Sequence, residues 1–391
     1  MDHFSVRQAS DSAYQLPHAS EPGHQARVTA QVVALVVGFG NVDNIANCVR
    51  ALVSATSEPS FDVFITESSG TLMMDALIRV LCGDGDECRL APLAEIPIHA
   101  VRIKRQRRLR WCRPDGSVRM WTNVAAAQEN LRYGGGVNAW LRPLLEIEGW
   151  RGARILNPDA EPEPTALAEL VSCAANWQKG MVGSRLQPYP GSDRIHSRGP
   201  AWSRRIAQTE AVDYPAPCQQ TADLADVEAR LDSPSGASLF VTRTMIETIG
   251  LVDERYLLYF EDLDRGMRAK QHGGIGYAHE SAAPHKSGTT TGSKEDGCGP
   301  SKLAIYLVFL NRLFVRDHSR ACMPWAVTMQ LLYGASFVAS GLVGLMRVGV
   351  GRLAAGVRGK AGRPPDRLIR GAVWLAHDGF IAVLADHHAV Q

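Results

Sequence analysis

The sequence predicts an α/β fold with an open, mixed but mostly parallel central sheet, followed by a C-terminal helical region that associates with a membrane. Three observations carry that expectation. Short apolar runs rich in β-branched residues recur along the chain, as buried parallel strands require. Most are followed by apolar residues at helical spacing, the pattern of strand–helix units. Carboxylates or glycines gather just past the strand ends, where open α/β sheets bind ligands.

With 391 residues, the chain has room for one large domain or two ordinary ones, and an apolar fraction of 45% suits a core-forming protein. Charge is divided unevenly. From Ser301 onward eleven Lys and Arg face four Asp, a net +7, so the overall +2 leaves the first three hundred residues at −5. An acidic body with a basic, apolar tail fits an anionic membrane surface and argues against nucleic-acid binding. The eight cysteines lack metal-site spacing and read as reduced thiols. Residues 1–30 are polar, with no apolar segment behind a basic start, and are expected to form a mobile arm on a cytoplasmic protein.

Taken in order, Val32–Val37 is the first strand, closed by Gly38-Phe39-Gly40-Asn41, and Ile45, Cys48, Val49 and Leu52 mark a helix behind it. Asp43 stands where a dinucleotide fingerprint needs its third glycine, which disfavours that cofactor. Asp62–Thr66 is the second strand and Glu67 caps its end, placed to accept from a nucleobase N–H or a ribose hydroxyl. A helix from Leu72 to Leu81 stops at Gly83. A basic run from Arg102 to Arg110 precedes a hairpin turn at Pro114-Asp115-Gly116. Asn130, Arg132 and the glycines through Gly136 then read as a turn opening a helix that holds Asn138, an arrangement in which backbone N–H groups approach a phosphate.

Two acidic centres organise the rest. Ala153–Leu156 is a strand stopped by Asn157-Pro158, and Asp159, Glu161 and Glu163 follow it, oxygen ligands suited to a hard cation such as Mg²⁺ or Mn²⁺. Strands at Gly180–Leu186 and Gly236–Val241 flank a long crossover over 187–234, and a helix from Arg243 to Ile249 ends at Gly250. The second centre is Leu258-Tyr259-Phe260-Glu261-Asp262-Leu263-Asp264, in which an aromatic approach feeds carboxylates at a helix start. The dipole favours acids there, and the apolar surroundings raise their basicity, as a general base requires. A strand at Ile275–His279 leads to His285-Lys286, residue types able to add a further diphosphate or metal contact.

This pattern resembles the inverting family 2 glycosyltransferases of GT-A fold, and within them the rhamnosyltransferase-like enzymes of bacterial polysaccharide assembly. The matching pieces are Val36–Asn41, Glu129–Asn138, Leu156–Asp159, Gly236-Ala237, Gly250–Glu254, Leu258–Asp264, His285–Gly288 and Tyr306 with Asn311-Arg312, spanning about residues 32–318. The resemblance implies a catalytic domain over 31–300, its nucleotide-sugar half at 31–160 and its acceptor half at 161–300, with a helical, membrane-associating region at 301–391. It implies a nucleotide-diphospho-sugar donor held by Gly38, Phe39, Gly40, Glu67, Asn130, Arg132, Gly136, Asn138 and Asp159. A divalent cation would sit on Asp159 and His285, and Asp262 would be the base, with Glu261 in reserve. The acceptor would be a glycan or a lipid-linked hydroxyl at the inner face of the cell membrane.

The sequence departs from the family's usual motifs at Gly38–Asn41, at Glu67–Gly70 and at Asn157-Pro158-Asp159 in place of Asp-x-Asp. These departures support an alternative, a catalytically inactive relative that binds glycan or scaffolds a synthesis complex. A nucleotidyltransferase is disfavoured because no Gly-rich signature with a following Arg and Lys appears at the first strand. Trp325–Met346 carries no charge and is followed by Arg347, Arg352, Arg358, Lys360 and Arg363, which predicts membrane association with the basic flank on the cytoplasmic side.

Overall fold

The computed structural model describes residues 30–286, apart from 56–58, 84–86, 94–97, 204–207, 215, 219 and 221, together with 307, 308, 311, 315, 328 and 331. The rest of the arm over 1–29, Gly288, Tyr306, Arg312 and nearly all of the apolar segment 325–346 lie outside the described residues.

The first half alternates as expected: β1 (Val32–Gly38), α1 (Val42–Val53), β2 (Phe61–Glu67) and α2 (Thr71–Cys82). A short β3 (Cys88–Leu90) and a long hairpin of β4 (Ile103–Cys112) and β5 (Val118–Ala127) follow, then α3 (Arg132–Leu145) and β6 (Gly152–Leu156). The second half opens with α4 (Ala166–Asn176) and β7 (Met181–Pro188). The expected crossover is folded into small pieces: β8 (Arg194–Ile195), β9 (Pro200–Ser203), β10 (Gln208–Ala211), β11 (Ala216–Pro217) and α5 (Leu224–Arg230). β12 (Ser238–Thr242), α6 (Arg243–Ile249), α7 (Glu261–Lys270) and β13 (Ile275–His285) complete the described order.

Nine of these strands form one sheet in the order β13-β7-β12-β6-β1-β2-β5-β4-β3. β1 pairs in parallel with both β2 and β6, β2 with β5, and β13 with β7. β12 and β4 run against their neighbours, so the sheet is mixed but mostly parallel. The central strands are buried on both faces, which is why they read as continuous apolar runs rather than alternating ones. On one face Val33, Leu35, Phe64 and Ile155 pack with Trp140 and Leu141 of α3, and on the other Ala34, Val36, Val63 and Ile65 pack with Ile45, Val49 and Leu77 of α1 and α2.

One local expectation needs correction. The three glycines do not form a turn ahead of a helix; Gly134, Gly135 and Gly136 are buried within α3. A Cβ on Gly136 would lie 2.6 Å from Cγ1 of Val37, and the Gly136 carbonyl accepts from the Thr66 hydroxyl at 2.8 Å. The glycine lets α3 lie directly on β1 and β2. Gly136→Val is therefore expected to cost about 1–3 kcal/mol through overpacking against a stiff, β-branched neighbour, read as a lowered melting temperature.

Candidate active site

Parallel pairing brings the ends of β1, β2 and β6 to one edge of the sheet, with Gly38 opposite Glu67 and Val36 opposite Leu156. Glu67 is fully buried there. Its Oε1 accepts from the backbone N–H of Ser69 at 2.8 Å and of Gly40 at 3.2 Å, so it braces the loop after β1. Its Oε2 is buried without a hydrogen-bond partner, and a ligand N–H or O–H would satisfy it. Gly40 takes a left-handed φ of 72°, which turns the chain sharply beside Glu67 and leaves Phe39 exposed at the sheet edge.

The β6 end carries the first acidic centre. Asp159 and His285 meet, Oδ1 to Nε2 at 3.0 Å, although 126 positions of sequence separate them. The segment after Asp159 runs beside β13: Ala160 bridges His285, and the Glu161 N–H donates to the Pro284 carbonyl at 2.9 Å. Lys286 adds a positive charge, with Nζ 3.0 Å from Glu161 and 3.1 Å from Asn44 Oδ1. Among the described residues no group of three or more His, Cys, Asp or Glu converges as a metal shell. Asp159 supplies a hard oxygen donor and His285 an imidazole, and together they would offer a divalent cation such as Mn²⁺ a partial ligand set.

The second centre is one strand away. The Asn157 N–H donates to the Ala237 carbonyl at 3.0 Å, and the neighbouring Gly236 N–H donates to Asp262 Oδ2 at 2.9 Å. Asp262 Oδ1 accepts from the Leu263 N–H at 2.8 Å. A Cβ at Gly236 would lie 3.3 Å from Asp262, so the glycine permits this close approach. Tyr133 of α3 closes the other side, its hydroxyl donating to the Gly236 carbonyl at 2.9 Å. Tyr133, Ile155, Gly236, Glu261, Asp262 and Arg265 are among the residues lining a small cavity of about 10 Å³.

Burial acts differently on the two adjacent carboxyls. It pushes Glu261 up to about 8, helped by the charge of Asp262, and Glu261 Oε2 has no hydrogen-bond partner. Asp262 is also raised by burial, but the N–H groups of Gly236 and Leu263 favour its anion. Glu261, pushed up to about 8, thus holds its proton around neutral pH, while the two N–H groups on Asp262 favour its anion against the effect of burial, a division of roles that suits a base. Buried Arg265 adds a guanidinium pulled down to about 10 by burial and by Arg268, with Nε and Nη2 lacking hydrogen-bond partners.

Because Glu261 is raised in the fold, the native state holds more protons than the unfolded chain between the ordinary carboxyl range and pH 8. Its stabilising contribution is complete below the unfolded value and is lost as pH rises through about 8. The melting temperature of the wild type is expected to fall by several degrees over that window, and that of Glu261→Gln to fall less. Equal slopes in thermal melts at stepped pH would contradict the assignment.

The backbone entering this centre is strained. Tyr259 and Phe260 both take φ of 71°, left-handed for consecutive aromatic residues, at a typical cost of about 1–3 kcal/mol each. Asn311 binds this turn, with Nδ2 donating to the Leu258 carbonyl at 2.7 Å and the Tyr259 carbonyl at 2.9 Å.

The remaining candidates sit around this frame. Asn138 is buried, donates to the Val252 carbonyl at 2.8 Å and to Glu254 at 2.9 Å, and accepts from the Val252 N–H at 3.1 Å. It thereby ties α3 to the loop before α7. Asn130 is exposed and accepts from the Arg132 N–H at 2.9 Å, and Arg132 is exposed at a left-handed φ of 60°. Sequence reasoning did not single out Tyr133 or Arg265 as site residues. A tyrosine before a glycine run and an arginine among helix charges carry no local signal for what the fold places beside them.

No protein-family model matches the chain. Two curated proteins of Mycobacterium tuberculosis, both named N-acetylglucosaminyl-diphospho-decaprenol L-rhamnosyltransferase, are each 26% identical over 204 residues, 46% of this chain and 64% of theirs. Among solved structures, S. aureus TarS residues 1–349 align at 10% identity and TM-score 0.41, covering 78% of this chain and 72% of that one. A mannosyltransferase from Pyrobaculum calidifontis, solved with GDP-Man and Mn²⁺, aligns at 13% identity and TM-score 0.44, covering 93% and 91%. In sequence, then, the chain is similar to bacterial rhamnosyltransferases named for a decaprenol-linked substrate, and it spans a little under two thirds of their length.

Proposed function

We propose that the protein is an inverting glycosyltransferase of the family 2, GT-A type. It moves a sugar, rhamnose by its similarity to the mycobacterial proteins, from a nucleotide-diphospho-sugar to a hydroxyl of a lipid-linked or glycan acceptor. The observation that carries this reading is the Asp262–Gly236–Asn157–Asp159 connection, which puts a buried carboxylate held by two backbone N–H groups one strand from a carboxylate–imidazole pair at the parallel-strand edge.

In this reading the donor lies along the ends of β1, β2 and β6. Glu67 Oε2 accepts a hydrogen bond from the base or ribose, and Phe39 offers an apolar face beside it. Asp159 and His285 would hold a divalent cation, whose charge would offset the negative charge developing on the leaving diphosphate. Asp262 takes the proton of the acceptor hydroxyl as its oxygen attacks the anomeric carbon. The bond from that carbon to the diphosphate oxygen breaks on the opposite face, so one displacement inverts the centre. Gly236 and Leu263 N–H groups orient the base, and protonated Glu261 adds no second negative charge beside it. The basic tail fits work at the inner face of the cell membrane.

The test is release of nucleoside diphosphate by the full chain from dTDP-, UDP- and GDP-sugars, with Mg²⁺ or Mn²⁺ and a polyprenyl-diphosphate-linked sugar as acceptor. Acceptor-dependent release with one donor is the expected result. Absence of both release and donor binding would instead support the inactive scaffold reading.

A further inference from the structure

The geometry points to Asn311 as a positioning residue for the base, supplied by the C-terminal region rather than by the strand–helix body; this rests on Asp262 acting as proposed. Leu307, Val308 and Asn311 have helical backbone, and Leu307, Asn311 and Val315 fall at four-residue spacing and are buried. Val308 and Val315 join Trp202, Tyr256, Tyr259 and Phe260 in one apolar cluster, so this segment is packed on the turn leading into α7.

Within that contact Asn311 is fully buried, and its single amide nitrogen donates to two successive carbonyls, those of Leu258 and Tyr259. These carbonyls lie just before and within the left-handed Tyr259-Phe260 pair, and the next two residues are Glu261 and Asp262. The Phe260 carbonyl accepts from the Asp264 N–H at 2.9 Å, so the strained turn also starts the helix that carries the base. An apolar residue at position 311 fills space but leaves two carbonyls without this donor, and the turn relaxes away from the left-handed pair. A small displacement of Asp262 from the acceptor hydroxyl is enough to reduce turnover strongly while leaving the donor site, at the β1, β2 and β6 ends, intact.

The experiment compares Asn311→Asp, Asn311→Ala and Leu307→Ala with the wild-type full chain, each confirmed folded by thermal melt. Leu307→Ala loses packing but keeps the amide contacts. Both Asn311 variants are expected to lose about 10–100-fold in kcat with donor KM within about twofold, and to shift the acid limb of the pH–rate profile. Leu307→Ala is expected to lower the melting temperature and keep kcat below it. A folded Asn311→Asp with unchanged kcat and pH profile overturns the proposal. Hydrogen exchange at residues 258–264 separates this from failure of the functional reading. If no donor is turned over by the wild type, faster exchange there in Asn311→Ala still supports the brace, and unchanged exchange overturns it.

Discussion

Asp262→Asn is expected to lower kcat by about 10²–10⁴-fold while leaving donor affinity nearly unchanged, because the amide keeps the shape but cannot take a proton. The site makes this a clean test. Asparagine can still accept from one of the two N–H groups, Gly236 or Leu263, that hold the aspartate oxygens. A Cβ on Gly236 would lie only 3.3 Å from Asp262, so it is the glycine that lets a side chain of aspartate's shape sit there, a shape the amide keeps. Glu261→Gln should cost far less activity, since Glu261 already carries its proton near neutral pH. If Glu261→Gln were the more damaging change, the two carboxyls would have to exchange roles.

The second large effect is expected at Asp159. Asp159→Asn is predicted to reduce kcat/KM by roughly 10²–10³-fold and to weaken the response to Mn²⁺, since the cation's charge stabilisation is worth several kcal/mol. His285→Ala should act in the same direction with a smaller loss, because the imidazole brings a ligand but no negative charge. Titrating metal against turnover in each variant checks this. Wild-type turnover indifferent to chelation would leave Asp159 and His285 a structural pair that joins the β6 loop to β13.

The two kinds of information in the sequence differed in reach. β1, β2 and α6 were legible because burial on both faces and clear helix stops at glycine leave local signatures, as at Ile249-Gly250. The glycine run predicts a turn where the fold has the interior of α3, because glycine marks both turns and close helix–sheet contacts, and only the packing of Gly136 on Val37 decides which applies. The meeting of Asp159 with His285 is a tertiary event: β13 runs to position 285, well beyond the strand expected at 275–279. Asn138 and Glu67 are polar residues whose tertiary partners, Val252 with Glu254 and the Gly40 and Ser69 amides, appear only once loops are folded back on the sheet. The described residues contain no helix long and apolar enough to cross a membrane, and the tail segment over 325–346 falls almost wholly outside them.

The stereochemistry of transfer is the most direct test of the central claim. The product made from an anomerically pure nucleotide-sugar donor would be examined by NMR for the configuration at the transferred carbon. Single displacement with Asp262 as base predicts the opposite anomer to the donor, and no such product from Asp262→Asn. A product retaining the donor's configuration would contradict the account.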